Sequence, residues 1–291
     1  MMPTLPNASA LSPRARVLVD WFKGHRAVAV AFSGGVDSSV VLAAAVLSDA
    51  NVIAITAKSP SVASWQIEIA SRVANDLAVT HEFVETDEVE QPAYAANDSN
   101  RCFHCKSTLY RSVQAICDSF PFGKMTLVSG TNSDDLGDYR PGIKAGELAS
   151  VRTPLADLGL TKQDVRSLAS EFGLRNADLP ASPCLASRIA YGVAVTPERL
   201  SRIEQAEGHL RAKGFHVLRV RLHEGEMARI EVPRDDLNRL IEADQQHQIS
   251  SHFQRLGFRY VTIDLQGFSS GSLNRLVNIA SPAVPTDPNQ T

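Results

Sequence analysis

Residues 27–38 read Ala27-Val28-Ala29-Val30-Ala31-Phe32-Ser33-Gly34-Gly35-Val36-Asp37-Ser38, and this stretch decides the fold. Its first half, Ala27 to Phe32, is a continuous apolar run without helical spacing, which suits a strand covered on both faces. Ser38 to Ser48 then reads as a buried helix. A glycine-rich turn between strand and helix presents backbone N–H groups to an anion, and the helix N-terminus adds its positive dipole end. Gly34 and Gly35 permit positive φ and close approach of a phosphate, while Ser33 and Ser38 supply hydroxyls without bulk. The pattern is not GxxxxGK[ST], so this is no Walker A loop, and it is not GxGxxG, which argues against a nicotinamide dinucleotide.

The rest of the first half repeats the alternation. Asn51 to Ala57, Thr80 to Glu85 and Met125 to Ser129 read as strands; Pro13 to Lys23, Trp65 to Leu77, Leu109 to Phe120 and Thr161 to Phe172 read as helices. Thr161 and Asp164 predict a capped start for the last of these, and Gly173 its end. Strands alternating with helices predict an α/β fold with a doubly wound parallel sheet. Ligands then sit beyond the carboxyl ends of the strands, so the loops after Phe32, Ala57, Glu85 and Ser129 should share one crevice. Residues 10–180 form this domain and 181–195 a Pro-, Ala- and Ser-rich linker. Residues 196–280 form a smaller C-terminal α+β domain, and 281–291, like 1–9, read as disordered ends.

The net charge of -3 and pI of about 6.2 give no global basicity, so no nucleic-acid partner is expected. Apolar runs such as Val40 to Leu47 fall far below the roughly 20 residues of a membrane span. The polar N-terminus lacks a secretory pattern, so the expected location is cytoplasmic.

The hexad SGGVDS resembles the PP-loop of N-type ATP pyrophosphatases, a group that includes NAD, GMP and asparagine synthetases and several thiolation enzymes. The resemblance implies cleavage of ATP between its α and β phosphates. Asp37 could orient Mg²⁺ or cap the helix. Lys58, after the second strand, could face phosphate or be an ordinary surface lysine. A second ligand loop, Ser129-Gly130-Thr131-Asn132-Ser133-Asp134-Asp135, lies on the same side of the sheet, with Gly130 for a tight turn and Thr131 and Asp134 as polar partners.

Four cysteines are present: Cys102, Cys105, Cys117 and Cys184. Cys117 sits on an apolar helix face with Val113 and Ile116 and reads as core. Cys102-Phe103-His104-Cys105 alone is ambiguous among zinc, iron–sulfur, redox and accident. Cys184 lies in the linker motif Ser182-Pro183-Cys184-Leu185-Ala186-Ser187-Arg188. Three thiolates on a [4Fe-4S] cluster leave one iron open for a sulfide beside an activated acyl group. Zinc held by these cysteines and His104 is the structural alternative, and Cys184 acting as sulfur donor is a second functional one.

In the second domain, Leu218, Val220 and Leu222 alternate with Arg219 and Arg221, and Ile230 and Val232 alternate with Arg229 and Glu231. An antiparallel hairpin of Val217 to Leu222 and Ala228 to Val232 would gather three arginines and one carboxylate on one face. That patch suits a nucleotide phosphate; the bland alternative is a solvated face with cross-strand ion pairs. Arg188, two residues past Ala186, could bind phosphate or carboxylate.

SGGVDS together with GTNSDDLGDYRPG (130–142), PCLASRIAYG (183–192) and RVRLHEGEMARIEV (219–232) resembles the LarE family, from about residue 14 to about residue 278. The resemblance implies an ATP- and Mg²⁺-dependent sulfurtransferase of nickel-pincer nucleotide biosynthesis. Such an enzyme adenylates a carboxylate of pyridinium-3,5-biscarboxylic acid mononucleotide and converts it to a thiocarboxylate, for a cofactor that serves lactate racemase. One family type gives up the sulfur of the CLASR cysteine; the other holds a [4Fe-4S] cluster on three cysteines. With Cys102, Cys105 and Cys184 the chain is similar to the cluster type. The resemblance also implies a homo-oligomer, and sulfide renewed either from solution or by a sulfur-donor partner. Rival readings are tRNA thiolation, amide synthesis by the same loop, and a non-enzymatic nucleotide-sensing or iron–sulfur storage module.

Overall fold

The computed structural model describes residues 5–6, 10–120, 123–137, 141–179, 182–245 and 248–269. The expected disordered tail at 281–291 and most of 1–9 lie outside this set. Contacts divide the chain into two compact units, Met1–Ser187 with Val195–Ser201, and Arg188–Ala194 with Arg202–Thr291.

Among the described residues, the first unit holds a sheet of four strands: β1 (Ala27–Ala31), β2 (Asn51–Lys58), β3 (Thr80–Glu85) and β4 (Thr126–Val128). Their order is β3-β2-β1-β4, and every adjacent pair is parallel. The alternation in Ala27–Ala31 explains why β1 lies at the centre. Val28 and Val30 point to one face, into a core with α1 (Pro13–Trp21) and α2 (Val36–Leu47). Ala27 and Ala29 point to the other face, with Ile53, Ile55, Tyr110 and Val113. Larger side chains on one face and smaller ones on the other let helices pack at both, which is what a run without polar residues requires.

The remaining helices of this unit are α3 (Ser64–Asp76), α4 (Pro92–Ala95), α5 (Arg101–Ser119), α6 (Pro141–Leu148), α7 (Pro154–Asp157) and α8 (Lys162–Glu171). Helix α5 begins eight residues before the expected Leu109. Its first turns, Arg101 to Ser107, carry no apolar stripe, so periodicity could not reveal them. Packing accounts for them instead: at Gly142 of α6 a Cβ would lie 3.1 Å from Lys106 Cγ of α5. Cys102 and Cys105 therefore sit on a helix. The start of α8 is as read: Thr161 Oγ1 accepts from Asp164 N, and Asp164 Oδ2 accepts from Thr161 N at 3.0 Å.

Helix α9 (Pro197–Ala212) contributes its first residues to the first unit and the rest, from Arg202, to the second. The second unit contains β5 (Arg219–His223), β6 (Met227–Glu231), α10 (Leu237–Ala243), α11 (Ser250–Leu256) and β7 (Tyr260–Ile263). β5 and β6 form the expected antiparallel hairpin, with Arg219 opposite Glu231 and Arg221 opposite Arg229. β7 joins β6 in parallel, which alternation along one strand cannot specify.

Removing two methyl groups from fully buried Val30 (Val30→Ala) should cost about 2 kcal/mol. The half-exposed Val17→Ala should stay within about 0.5 kcal/mol of the parent. Urea unfolding of the two variants measures the contrast.

Candidate active site

The turn leaving β1 is held in shape from beneath. Gly34 has φ 71°, and a Cβ there would lie 2.8 Å from Ala70 N and 2.9 Å from Ala70 Cα of α3. Only glycine fits both constraints. Asn176 Nδ2 donates to Gly34 O and to Ser39 Oγ, each at 2.8 Å, so the Gly34 carbonyl is turned into the protein. Ser38 Oγ donates to Gly35 O at 3.0 Å and lies 3.2 Å from Ser33 Oγ. Ser33 and Gly35 face solvent at the α2 N-terminus, where an anion is stabilised by amides and the helix dipole.

The loop after β4 rests directly on this turn. A Cβ on Gly130 would fall 2.6 Å from Ser38 N and 2.9 Å from Asp37 C, so glycine is required here by backbone contact rather than by φ. Asn132 Nδ2 donates to Asp37 Oδ1 at 3.1 Å, while its Oδ1 accepts from Asp134 N and Asp135 N. Lys162, the first residue of α8, forms an ion pair with Asp37, and its backbone N–H donates to Asp134 Oδ2 at 2.9 Å. Ser33, Gly34, Gly35, Asp37, Ser38, Gly130, Thr131 and Asp134 are thus gathered at the carboxyl edge of the sheet, together with Asn132, Lys162 and Asn176. Lys58 ends β2, with its ammonium 4.2 Å from the centre of the Phe83 ring. Nearby, Thr56 Oγ1 donates to Phe32 O at 2.7 Å and lies 2.8 Å from His81 Nε2, so His81 carries its proton on Nε2. Burial, then the Lys58 charge, lower the His81 pKa and favour that neutral form.

The cysteines occupy a second part of the same unit. Cys102 is exposed, Cys105 and Cys184 are half-buried, and Cys117 lies in the core as expected. Burial pushes the Cys105 thiol up to about 12, and Cys184, Glu88 and Cys102 add to the rise while Lys106 opposes it. The same two half-buried thiols, after burial, raise the phenol of Tyr94. Glu88 is 3% exposed, and its Oε2 is buried without a hydrogen-bond partner. Among the described residues, no three His, Cys, Asp or Glu side chains are already drawn together as a metal-binding set.

In the second unit the hairpin's charged face is buried rather than solvated. Arg221 donates to Glu231 Oε2 through Nη2 at 2.9 Å and Nε at 3.1 Å. Arg229 reaches Glu231 Oε1 at 3.2 Å and Asp264 Oδ2 at 2.7 Å. Arg188, 1% exposed, donates to Glu207 Oε1 at 3.0 Å, and Arg211 donates to Glu207 Oε2 at 2.9 Å. Burial works against the Glu207 charge, but these guanidiniums outweigh it and its pKa is lowered. Arg219, stacked 5.2 Å from the Phe268 ring, is brought down to about 10 by burial and then by Arg188. Among the described residues, five arginines here face three carboxylates, Glu207, Glu231 and Asp264.

Comparison with known proteins bears on both units. The family described as Queuosine biosynthesis protein QueC matches residues 26–100, which span the phosphate loop. Pyridinium-3,5-bisthiocarboxylic acid mononucleotide synthase of Lactiplantibacillus plantarum is 34% identical over 91% of this chain and 95% of its own length. The chain belongs to this synthase family, LarE. Two further relatives carry no function in their names. The uncharacterized protein slr1717 of Synechocystis is 42% identical over 85% of this chain and 92% of its own length. The uncharacterized protein MJ0830 of Methanocaldococcus jannaschii is 28% identical over 87% and 94%. The parallel sheet with its phosphate loop is the PP-loop ATP pyrophosphatase fold, and the chain is an ATP-using sulfur-transfer enzyme. Among the described residues, no helix is long and apolar enough to cross a membrane.

Within this LarE-family chain, sequence reading missed Lys162, Asn176 and Glu207. Lys162 is hidden behind the capping box that marks its helix, and Asn176 falls in a stretch with no periodicity. Glu207 sits on α9 among other charged residues, and only the fold shows that it points inward.

Gly130→Ala should weaken ATP binding about tenfold or more, because the added carbon forces the two loops apart; isothermal titration measures it. Native alkylation gives a second check. Burial raises the Cys117 thiol to about 11, so at pH 8 it should react about a hundredfold more slowly than a free cysteine in solution, and speed up with rising pH.

Proposed function

We propose that the chain adenylates a carboxylate of pyridinium-3,5-biscarboxylic acid mononucleotide and replaces it with a thiocarboxylate. The observation that carries this reading is the direct seating of the Gly130 loop on the first turn of α2. It makes a single cradle from two ligand loops. Ser33, Gly35, Ser38 and the α2 amides would hold the ATP phosphates. Thr131 and Asp134 would hold the ribose or base side, and Lys58 and Lys162 would supply positive charge. Mg²⁺ fits the donor set, since it commonly takes one or two carboxylates and completes its shell with nucleotide phosphates and water. Asp37, now paired with the Lys162 ammonium, is the carboxylate suited to it. Lys162 would then be released toward the phosphates.

The substrate carboxylate attacks the α-phosphorus, pyrophosphate leaves, and an acyl-adenylate remains. AMP is a competent leaving group at neutral pH, whereas carboxylate oxygen is not. The gathering of Arg188, Arg219 and Arg221 around Glu207 and Glu231 supports a dianionic nucleotide phosphate as the group recognised in the second unit.

The three thiols fit a metal group by their chemistry. Burial, then the charges of Cys184 and Cys102, raise the cost of ionising Cys105, and a bound cation would reverse that repulsion. Cys102, Cys105 and Cys184 would hold a [4Fe-4S] cluster, which when bound supplies sulfide as the incoming nucleophile. The chain's own residues would fix the thiols, with the buried Tyr94 beside Cys105 and Cys184.

Incubation with ATP, Mg²⁺ and the dicarboxylated mononucleotide should release AMP and pyrophosphate only when the mononucleotide is present. After anaerobic loading with iron and sulfide, it should yield a product with sulfur in place of oxygen. Asp37→Asn should lower AMP formation about a hundredfold or more. Dehydroalanine at position 184 after turnover would instead identify Cys184 as the sulfur donor.

A further inference from the structure

The segment carrying Cys184 belongs to no strand or long helix, yet the backbone on both sides of the thiol is held. Before it, Gln66 Nε2 donates to Ser182 O at 2.8 Å. After it, Leu185 N donates to Ser61 O at 2.8 Å, and Ser61 Oγ lies 2.6 Å from Tyr94 OH. A further anchor comes from α5 itself. Arg101 Nη1 donates to Ala186 O at 2.9 Å and to Asn97 Oδ1 at 2.5 Å. Arg101 is 6% exposed and Asn97 fully buried, with φ 57°, a left-handed conformation that asparagine tolerates. The buried guanidinium is therefore fixed on one side by the chain entering α5 and on the other by the CLASR segment.

Arg101 directly precedes Cys102 and lies one turn before Cys105. The helix turn that carries two of the thiols thus also grips the backbone two residues past the third. We propose that Arg101 is a positioning residue that sets the register of Cys184 against Cys105. Arginine suits the task because the planar guanidinium holds Nη1, the donor to both oxygens, in a fixed direction, whereas a lysine ammonium is flexible. The inference rests on the sulfur-transfer reading only for its consequence in turnover; the geometry concerns the metal-free protein.

The test uses metal-free protein in which Cys102 and Cys117 are serine, leaving Cys105 and Cys184. Dibromobimane becomes fluorescent when it bridges two neighbouring thiols. With Arg101 present, the Cys105–Cys184 bridge should form readily. Arg101→Gln should lower bridge yield about tenfold, the effect of losing one charge-assisted buried hydrogen bond. Alkylation of Cys105 alone and ATP binding should stay within about twofold, as expected for a local change. Arg101→Lys should restore part of the bridging. Equal bridging in Arg101→Gln, no bridging with Arg101 intact, or a matching rise in Cys105 alkylation would overturn the proposal. Because no ATP turnover or iron is involved in the bridging, its outcome is separate from that of the proposed reaction.

Discussion

The contact between Gly130 and the backbone of Asp37 and Ser38 is the constraint on which the nucleotide site depends. Two loops from separate strands can form one anion cradle only if nothing stands between them, and here not even a methyl group could. The consequences run outward. Asn132, two residues after that glycine, is placed to hold Asp37, and Lys162 closes the same carboxylate from α8. Asn176 turns the Gly34 carbonyl inward, which leaves the amide side of the loop for phosphate. β1 can anchor all this because its alternating valines and alanines let helices cover both faces of the sheet.

The second unit answers a different electrostatic problem. Burying Arg188, Arg219 and Arg221, with Arg211 and Arg229 partly buried beside them, is costly unless the charges find partners. Glu207 and Glu231 each serve two arginines, and Asp264 takes a further contact from Arg229. Arg219 shows the strain of the cluster: burial, then repulsion from Arg188, lowers its pKa, while Glu207 opposes the fall. A phosphate dianion is the ligand class that would relieve that repulsion. The thiols pose the converse problem: Cys105 is held as a neutral thiol by burial and by neighbouring sulfurs, and a metal cation would reverse the balance.

Much of this was legible in the residues. The β1 run, the glycine turn and the capping box each carry a local signal, and each stands where it was read. Alternation assigned the three arginines and Glu231 to one face of the hairpin, and the fold supplies the register that sets Arg219 opposite Glu231. Other features had no local signature. The first turns of α5 lack an apolar stripe, so the helical setting of Cys102 and Cys105 emerges only from packing against α6. Burial of the arginine face was also invisible, because the partners Glu207 and Asp264 come from distant positions. Asn176 and Lys162 are ordinary polar residues until the fold brings them to the loop.

The central claim is that this cradle joins AMP to a carboxylate. The most direct measurement uses the dicarboxylated mononucleotide with ¹⁸O in its carboxylates, and mass spectrometry of the AMP released during turnover. The account predicts ¹⁸O in the AMP phosphoryl group, because the oxygen that attacks the α-phosphorus leaves with it. Unlabelled AMP alongside sulfur-containing product, or release of ADP in its place, would contradict it.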